Sequence, residues 1–120
     1  MYEKELTYKI RGAIFEVYRT LGAGFLEKVY HQALVRELTL QGLEVKTELA
    51  LPVYYKKALV GEYRADLIVQ DSVLVEIKAQ KNLSPAAEAQ IINYLKTTGI
   101  KVGLLVNFTY PKATVKRIVY

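Results

Sequence analysis

Apolar residues recur along this chain with two periods and one continuous run. Leu6, Ile10, Ala13/Ile14, Val17 and Leu21 return every three to four residues, which predicts a helix over 3–21. Gly22-Ala23-Gly24 ends it, because glycine suits the position after a helix and the pair frees the backbone for a sharp turn. The helical spacing resumes at Leu26, Val29/Tyr30, Ala33/Leu34 and Leu38, predicting a second helix over 25–41 capped by Gly42. From Val45 the period becomes two. Val45, Thr47, Leu49, Leu51 and Val53 should share one face of a half-buried strand over 45–54. Pro52 argues for an edge position or a strand end. Residues 55–58 turn the chain, and Leu59 opens the next strand, with Gly61 marking a bulge.

The stretch from Arg64 to Lys81 is different, nearly continuous in apolar and β-branched residues, as in a strand buried on both faces. It predicts two strands, 64–69 and 73–79, joined by a Gln70-Asp71-Ser72 turn. Ser84 as N-cap and Pro85 at the first helical position start a third helix, which ends at Thr98 before Gly99. Its Ala87, Ile91 and Leu95 form one side, and Gln90 and Tyr94 another. Residues 101–108 read as a buried strand parallel to 73–79 through that helical crossover, and 114–119 as a final edge strand. The order ααβββαββ predicts an α/β fold, a mixed sheet flanked by helices, formed as one domain over 1–120.

Three charges interrupt the apolar run: Asp66, Glu76 and Lys78. Glu76 and Lys78 are two apart and share a strand face, roughly 7 Å apart along the chain. If the two strands pair as a hairpin, Asp66 lies beside Glu76. Buried charge is costly unless paired or holding a metal. The ordinary alternative is an ion pair of Glu76 with Lys78 and an exposed Asp66. Two carboxylates together are hard oxygen ligands suited to Mg²⁺, and a neighbouring lysine can polarise a water or offset phosphate charge.

Asp66 followed by Glu76-Ile77-Lys78 resembles the PD-(D/E)xK nuclease core, with Ala65 where that pattern has proline. Gly24-Phe25-Leu26-Glu27-Lys28-Val29-Tyr30 fits the pattern GxxExxY, and the chain over 10–108 is similar to the small GxxExxY protein family of that superfamily. The resemblance implies a restriction-endonuclease-like αβββαβ core, here with an extra N-terminal helix and an extra C-terminal strand. It implies Mg²⁺ or Mn²⁺ held by Asp66, Glu76 and the Ile77 carbonyl, with Glu27 an auxiliary ligand, and Lys78 activating water. Gln90, followed by Tyr94, resembles the polar helix position that meets the active-site edge. Tyr30 either orients Glu27 or packs, and Gly24 allows a close approach to the sheet or a phosphate. His31, the only histidine, is expected on the surface or in packing.

Composition adds bounds. There is no cysteine, so no disulfide and no thiolate zinc site. No apolar run is long enough to span a membrane, the N-terminus lacks a signal-like apolar region, and the cytoplasm is the expected location. Seventeen basic against twelve acidic residues give a formal charge of +5, compatible with an anionic partner, and the resemblance implies that this partner is nucleic acid, expected to be DNA. Most of the ten tyrosines sit at core or strand positions. Val115, Ile118 and Val119 could pair a C-terminal edge with a second copy. Two functions remain open at this point: a metal-dependent nuclease, or a non-catalytic module that binds nucleic acid or protein on the same fold.

Overall fold

Residues 3–120 are described by the structure, a computed structural model; Met1 and Tyr2 lie outside them. Helix α1 spans Lys4–Leu21 and buries Thr7, Ile10, Ala13, Ile14 and Val17. Gly22, at φ +71°, closes it by donating its N–H to the Tyr18 carbonyl at 2.7 Å. Helix α2 spans Glu27–Leu40 and starts two residues later than predicted. Leu26 is extended rather than helical, so it leaves the predicted apolar stripe and is 80% exposed. Val29 is exposed as well, and α2 buries Tyr30, Leu34 and Leu38, with Ala33 and Val35 partly buried beside them.

Strands β1 (Val45–Tyr55), β2 (Ala58–Val69) and β3 (Val73–Lys78), helix α3 (Pro85–Thr98), and strands β4 (Val102–Asn107) and β5 (Thr114–Val119) follow in chain order. The five strands form one sheet in sequence order, antiparallel except for the parallel β3–β4 pair that α3 connects. Helices α1 and α2 pack on one face, against Leu67, Val69, Val75, Ile77, Leu104 and Phe108 among others. Helix α3 packs on the other, through Ala87, Ile91, Tyr94 and Leu95 against Leu74, Leu105 and Ile118. The Ser84 hydroxyl accepts the Ala86 N–H, and Gly99 turns left-handed at φ +78°, as the sequence predicts for the two ends of α3.

Both hairpin turns match their composition only in part. Gln70 and Asp71 each have φ 53°, as a type I′ turn requires, and the Ser72 N–H closes the turn on Val69. The β1–β2 tip is a second such turn, built from Lys56 (φ 47°) and Lys57 (φ 69°) where Asn-Gly would be least strained. The register slips between Val53↔Gly61 and Tyr54↔Leu59, leaving Val60 as the extra residue beside the predicted bulge glycine.

Two expectations fail here. The odd residues of β1 do not share a face: Val45 packs with the α1/α2 cluster, whereas Leu49 and Leu51 pack with the α3 cluster. Glu48, at φ 49°, is the break in alternation between them. The apolar strip expected to pair β5 with a second copy is not formed either. Ile118 is buried under α3 and Val115 packs against the core, leaving Val119 as its one exposed member. No helix among the described residues is long and apolar enough to cross a membrane.

Gly103 sets the spacing of α3 from the sheet, since a Cβ there would lie 2.6 Å from Ile91 Cγ2. Gly103→Ala should lower stability by about 1–3 kcal/mol, read as a lower urea midpoint with unchanged slope. Replacing Lys56-Lys57 by Asn-Gly should raise it by about 1 kcal/mol, because both residues then fit the left-handed turn. A tip substitution without stabilisation would show that the two lysines carry no strain.

Candidate functional site

Strands β2 and β3 part company at the charged residues. Their ladder joins Val69↔Val73, Ile68↔Leu74 and Leu67↔Val75. The next opposed residues are Asp66 and Glu76, and no backbone pairing continues through them. Buried N–H groups need acceptors, and here carboxylates supply them. The Ile77 N–H donates to Asp66 Oδ2 at 2.8 Å, and the Asp66 N–H donates to Glu76 Oε1 at 3.3 Å. The carboxylates therefore stand together because each ties its own strand to the other.

Glu76 is 5% exposed. Burial pushes its carboxyl well above the ordinary value, and the Asp66 charge adds to the shift, against the Asp66 N–H bond and Lys78. Lys78 follows on the same face, half-buried, with its carbonyl accepting the Phe108 N–H at 2.8 Å. The ordinary alternative read from the sequence, a Glu76–Lys78 ion pair, is absent among the described residues. Their ion pairs are Arg19–Glu16, Lys46–Asp71 and Lys116–Glu88, all on the surface.

Glu27 stands in the first turn of α2. Partial burial raises its pKa, Asp66 raises it further, and Lys78 and His31 oppose the rise. It lines a recess of about 420 Å³ with His31, Glu48 and Asp66. Among the described residues, no three acidic or histidine side chains converge tightly enough to hold a metal ion, Glu27 with the Asp66–Glu76 pair included. Gln90 is also apart from that recess. It is exposed and lines a separate cavity of about 360 Å³ between α3 and β1–β2, with Leu51, Tyr63 and Tyr94. Tyr94 is buried in its wall, its hydroxyl pushed up to about 12 by burial and by the Glu76 charge.

The two remaining motif residues build the α1–α2 turn. The Tyr30 hydroxyl donates to the Gly22 carbonyl at 2.6 Å and accepts the Phe25 N–H at 3.2 Å. Its ring stacks on Phe108 at 4.4 Å. It therefore packs and ties the turn rather than orienting Glu27. Gly24 makes no close approach, since a Cβ would meet nothing within 4 Å; its φ of +106° is what calls for glycine.

Four residues join the site that the sequence did not single out for it. Tyr63 meets Tyr94 edge-on at 4.8 Å, and its hydroxyl pKa is raised by burial and then by Glu76 and Asp66. His31 Nε2 lies 3.2 Å from the Asp66 carbonyl, which only accepts, so that nitrogen carries the proton in the bond. Glu48 falls opposite Asp66, between Thr47↔Leu67 and Leu49↔Ala65. Asn107, buried, accepts the Gln80 N–H at 2.9 Å and donates to the Gln80 carbonyl at 2.8 Å, fixing the chain just beyond Lys78. The β1–β2 register, set by the two-residue turn at Lys56-Lys57 together with the bulge beside Gly61, was the signal available for Glu48. No local pattern marks the other three.

The sheet order, the single parallel pair and the helices on both faces define the restriction-endonuclease-like architecture. A family model, the PD-(D/E)XK nuclease superfamily, matches residues 4–118, and the chain belongs to that superfamily. Among solved structures the fold is similar to that of SSO0001, with a TM-score of 0.62 and 21% identity. The match covers 77% of this chain and 48% of that one, so this chain spans about half the length of its structural neighbour. No curated protein matches the sequence.

The raised carboxyl of Glu76 has a consequence for stability. Folded Glu76 keeps its proton to higher pH than the unfolded chain does, so the folded state binds more protons between pH 4.5 and about 8. In chelator, the stability of the wild type relative to Glu76→Gln should therefore fall as pH rises through that window and level off above it. Urea midpoints of both proteins across the window would show this; parallel curves would contradict it.

Proposed function

We propose that this protein is a divalent-metal-dependent nuclease of the GxxExxY kind, which hydrolyses phosphodiester bonds in DNA. The observation that carries the reading is the Asp66–Glu76 pair, two carboxylates tied together through backbone N–H groups with one of them buried. Membership of the superfamily supports it. The residues fit a hard divalent cation, Mg²⁺ or Mn²⁺: oxygen donors of like charge, one in a desolvated position, are the donor set such an ion prefers. Asp66, Glu76 and the Ile77 carbonyl would hold it, with Glu27 acting through water. Once bound, it would neutralise charge developing on the phosphate and leaving-group oxygens.

The chain's own groups do the rest. The Lys78 ammonium has three donors and no acceptor, so it can hold the attacking water by its oxygen and lower the charge around the phosphate. Its carbonyl bond to Phe108 fixes the backbone from which it reaches. Glu27, its pKa raised by partial burial, lines the same recess as Asp66 and would offer a carboxyl there to hold or pass a proton. His31 and Asn107 hold the backbone on the two sides of the site, at Asp66 and Gln80. Gln90, beside Tyr94, would meet the substrate from the α3 side.

Asp66→Asn and Glu76→Gln keep an oxygen for each backbone donor while removing charge. Calorimetric titration with Mg²⁺ and Mn²⁺ should show binding in the wild type that both variants lose, with circular dichroism unchanged. In an assay over single-stranded and duplex DNA and RNA, metal-dependent cleavage should vanish in both. Lys78→Ala should cut the cleavage rate by about 100-fold or more with metal affinity kept. Wild-type cleavage surviving in Glu76→Gln would sink the assignment. Metal binding without cleavage of any of these substrates would favour the non-catalytic binding module.

A further inference from the structure

Beyond Asp66 the β1–β2 ribbon leaves the body of the sheet. Residue 66 and those before it in β2 have no ladder partner in β3, so from there to the tip each strand pairs only with the other. The molecule is correspondingly long, 46 Å against 29 and 24 Å. The outer part of this arm is exposed, yet it is not polar. Val53, Tyr54, Tyr55, Leu59 and Val60 are 45–63% exposed within eight residues of sequence. Tyr54 and Leu59 are cross-strand partners, one step behind the turn. Exposed apolar surface this concentrated marks a contact site.

The tip is cationic. Lys56 and Lys57 form the turn in a left-handed conformation that asparagine and glycine would adopt with less strain. The Lys56 ammonium lies 5.4 Å from the centre of the Tyr55 ring. Arg64 adds a third cation nearer the site, and Glu62 is the single acidic residue between the turn and Asp66. A two-stranded ribbon fits the major groove of a DNA duplex, where apolar side chains can press on thymine methyl groups. Lysines at its end are placed for phosphates.

Resting on the nuclease reading above, we propose that the β1–β2 arm grips duplex DNA on one side of the scissile phosphate, with Lys56 and Lys57 on the backbone and Tyr54 and Leu59 against the bases. The arm and the site share β2. Seven residues separate Leu59 from Asp66, about 23 Å of strand, or about seven base steps. Protection of the duplex should therefore reach about seven steps beyond the cut on one side only. The chain thus takes its hold on duplex substrate from a ribbon continuous with the strand that carries Asp66.

The test is binding without cleavage. A fluorescein-labelled DNA duplex of about three helical turns is titrated in chelator, over a salt series, with wild type, Lys56→Ala/Lys57→Ala and Tyr54→Ser/Leu59→Ser. The lysine pair should reduce the slope of log affinity against log salt by about 1.8, the release of two phosphate contacts. The apolar pair should weaken binding about tenfold with the slope unchanged. Hydroxyl-radical protection on the arm side should disappear in both. Unchanged affinity and slope in both variants would overturn the proposal. So would a wild type that sediments as a dimer, dissociates on either arm substitution, and binds duplex as the variants do; the arm would then be a protein interface. Because chelator prevents cleavage, failure of the nuclease reading leaves this outcome readable. Conversely, arm variants that bind and cut like wild type would leave the nuclease reading intact.

Discussion

One exchange of partners governs this structure: at Asp66 and Glu76, side-chain carboxylates replace the backbone ladder between two strands. Backbone N–H bonds to carboxyl groups take the place of the lost ladder bonds, and where the acceptor is ionised each is worth about 1.5–3 kcal/mol, more than a neutral bond. They are set against a buried glutamate beside a second acid, an arrangement that raises the energy of the charged form. The sheet tolerates it because both flanking layers are well filled, by α1 and α2 on one side and α3 on the other. The change of faces along β1 and β2 coincides with the break. Ala65 and Leu67, two apart in β2, pack in opposite clusters, so the alternation of faces is reset at Asp66. Glu48 resets it in β1 at the position opposite. Beyond the reset the two strands are free of β3 and form an arm of their own.

The helical side of the site is held by a short relay. Tyr30 ties the turn before α2 and stacks on Phe108. Phe108 in turn donates its N–H to the Lys78 carbonyl. The first turn of α2, which carries Glu27, is thereby set against the end of β3 through packing and one backbone bond. Asn107 secures the next residues, with its amide satisfied at both ends by Gln80. These are rigid contacts between regular elements, the kind of support a site needs if its groups are to keep their geometry.

Much of the fold was legible because local chemistry and global fold agree. The glycines after α1 and α3, the Ser84-Pro85 start, the turn at Gln70-Asp71 and the crossover to β4 follow from residues within a few positions of each other. The juxtaposition of Asp66 and Glu76 was legible too, since a hairpin register is set by its turn. Long-range geometry was not. No sequence pattern shows that Glu48 interrupts an otherwise regular alternation, because left-handed backbone at a glutamate is imposed by the surroundings. Gln90 and Glu27 each lie at suitable helix positions, but which recess each lines depends on how α2 and α3 seat on opposite faces. Tyr63 reads as one more strand aromatic until α3 brings Tyr94 against it.

The contacts of Tyr30 also change what a short motif can be taken to say. Of the three lettered positions in GxxExxY, Gly24 supplies a backbone conformation and Tyr30 ties a turn and fills a core; neither touches the carboxylate pair. Only Glu27 lines the recess that Asp66 also borders. A chain that kept this turn and lost the glutamate would go on matching two thirds of the pattern. As a diagnostic, the motif reports chiefly on architecture, and a single carboxylate is its one letter beside the Asp66 recess.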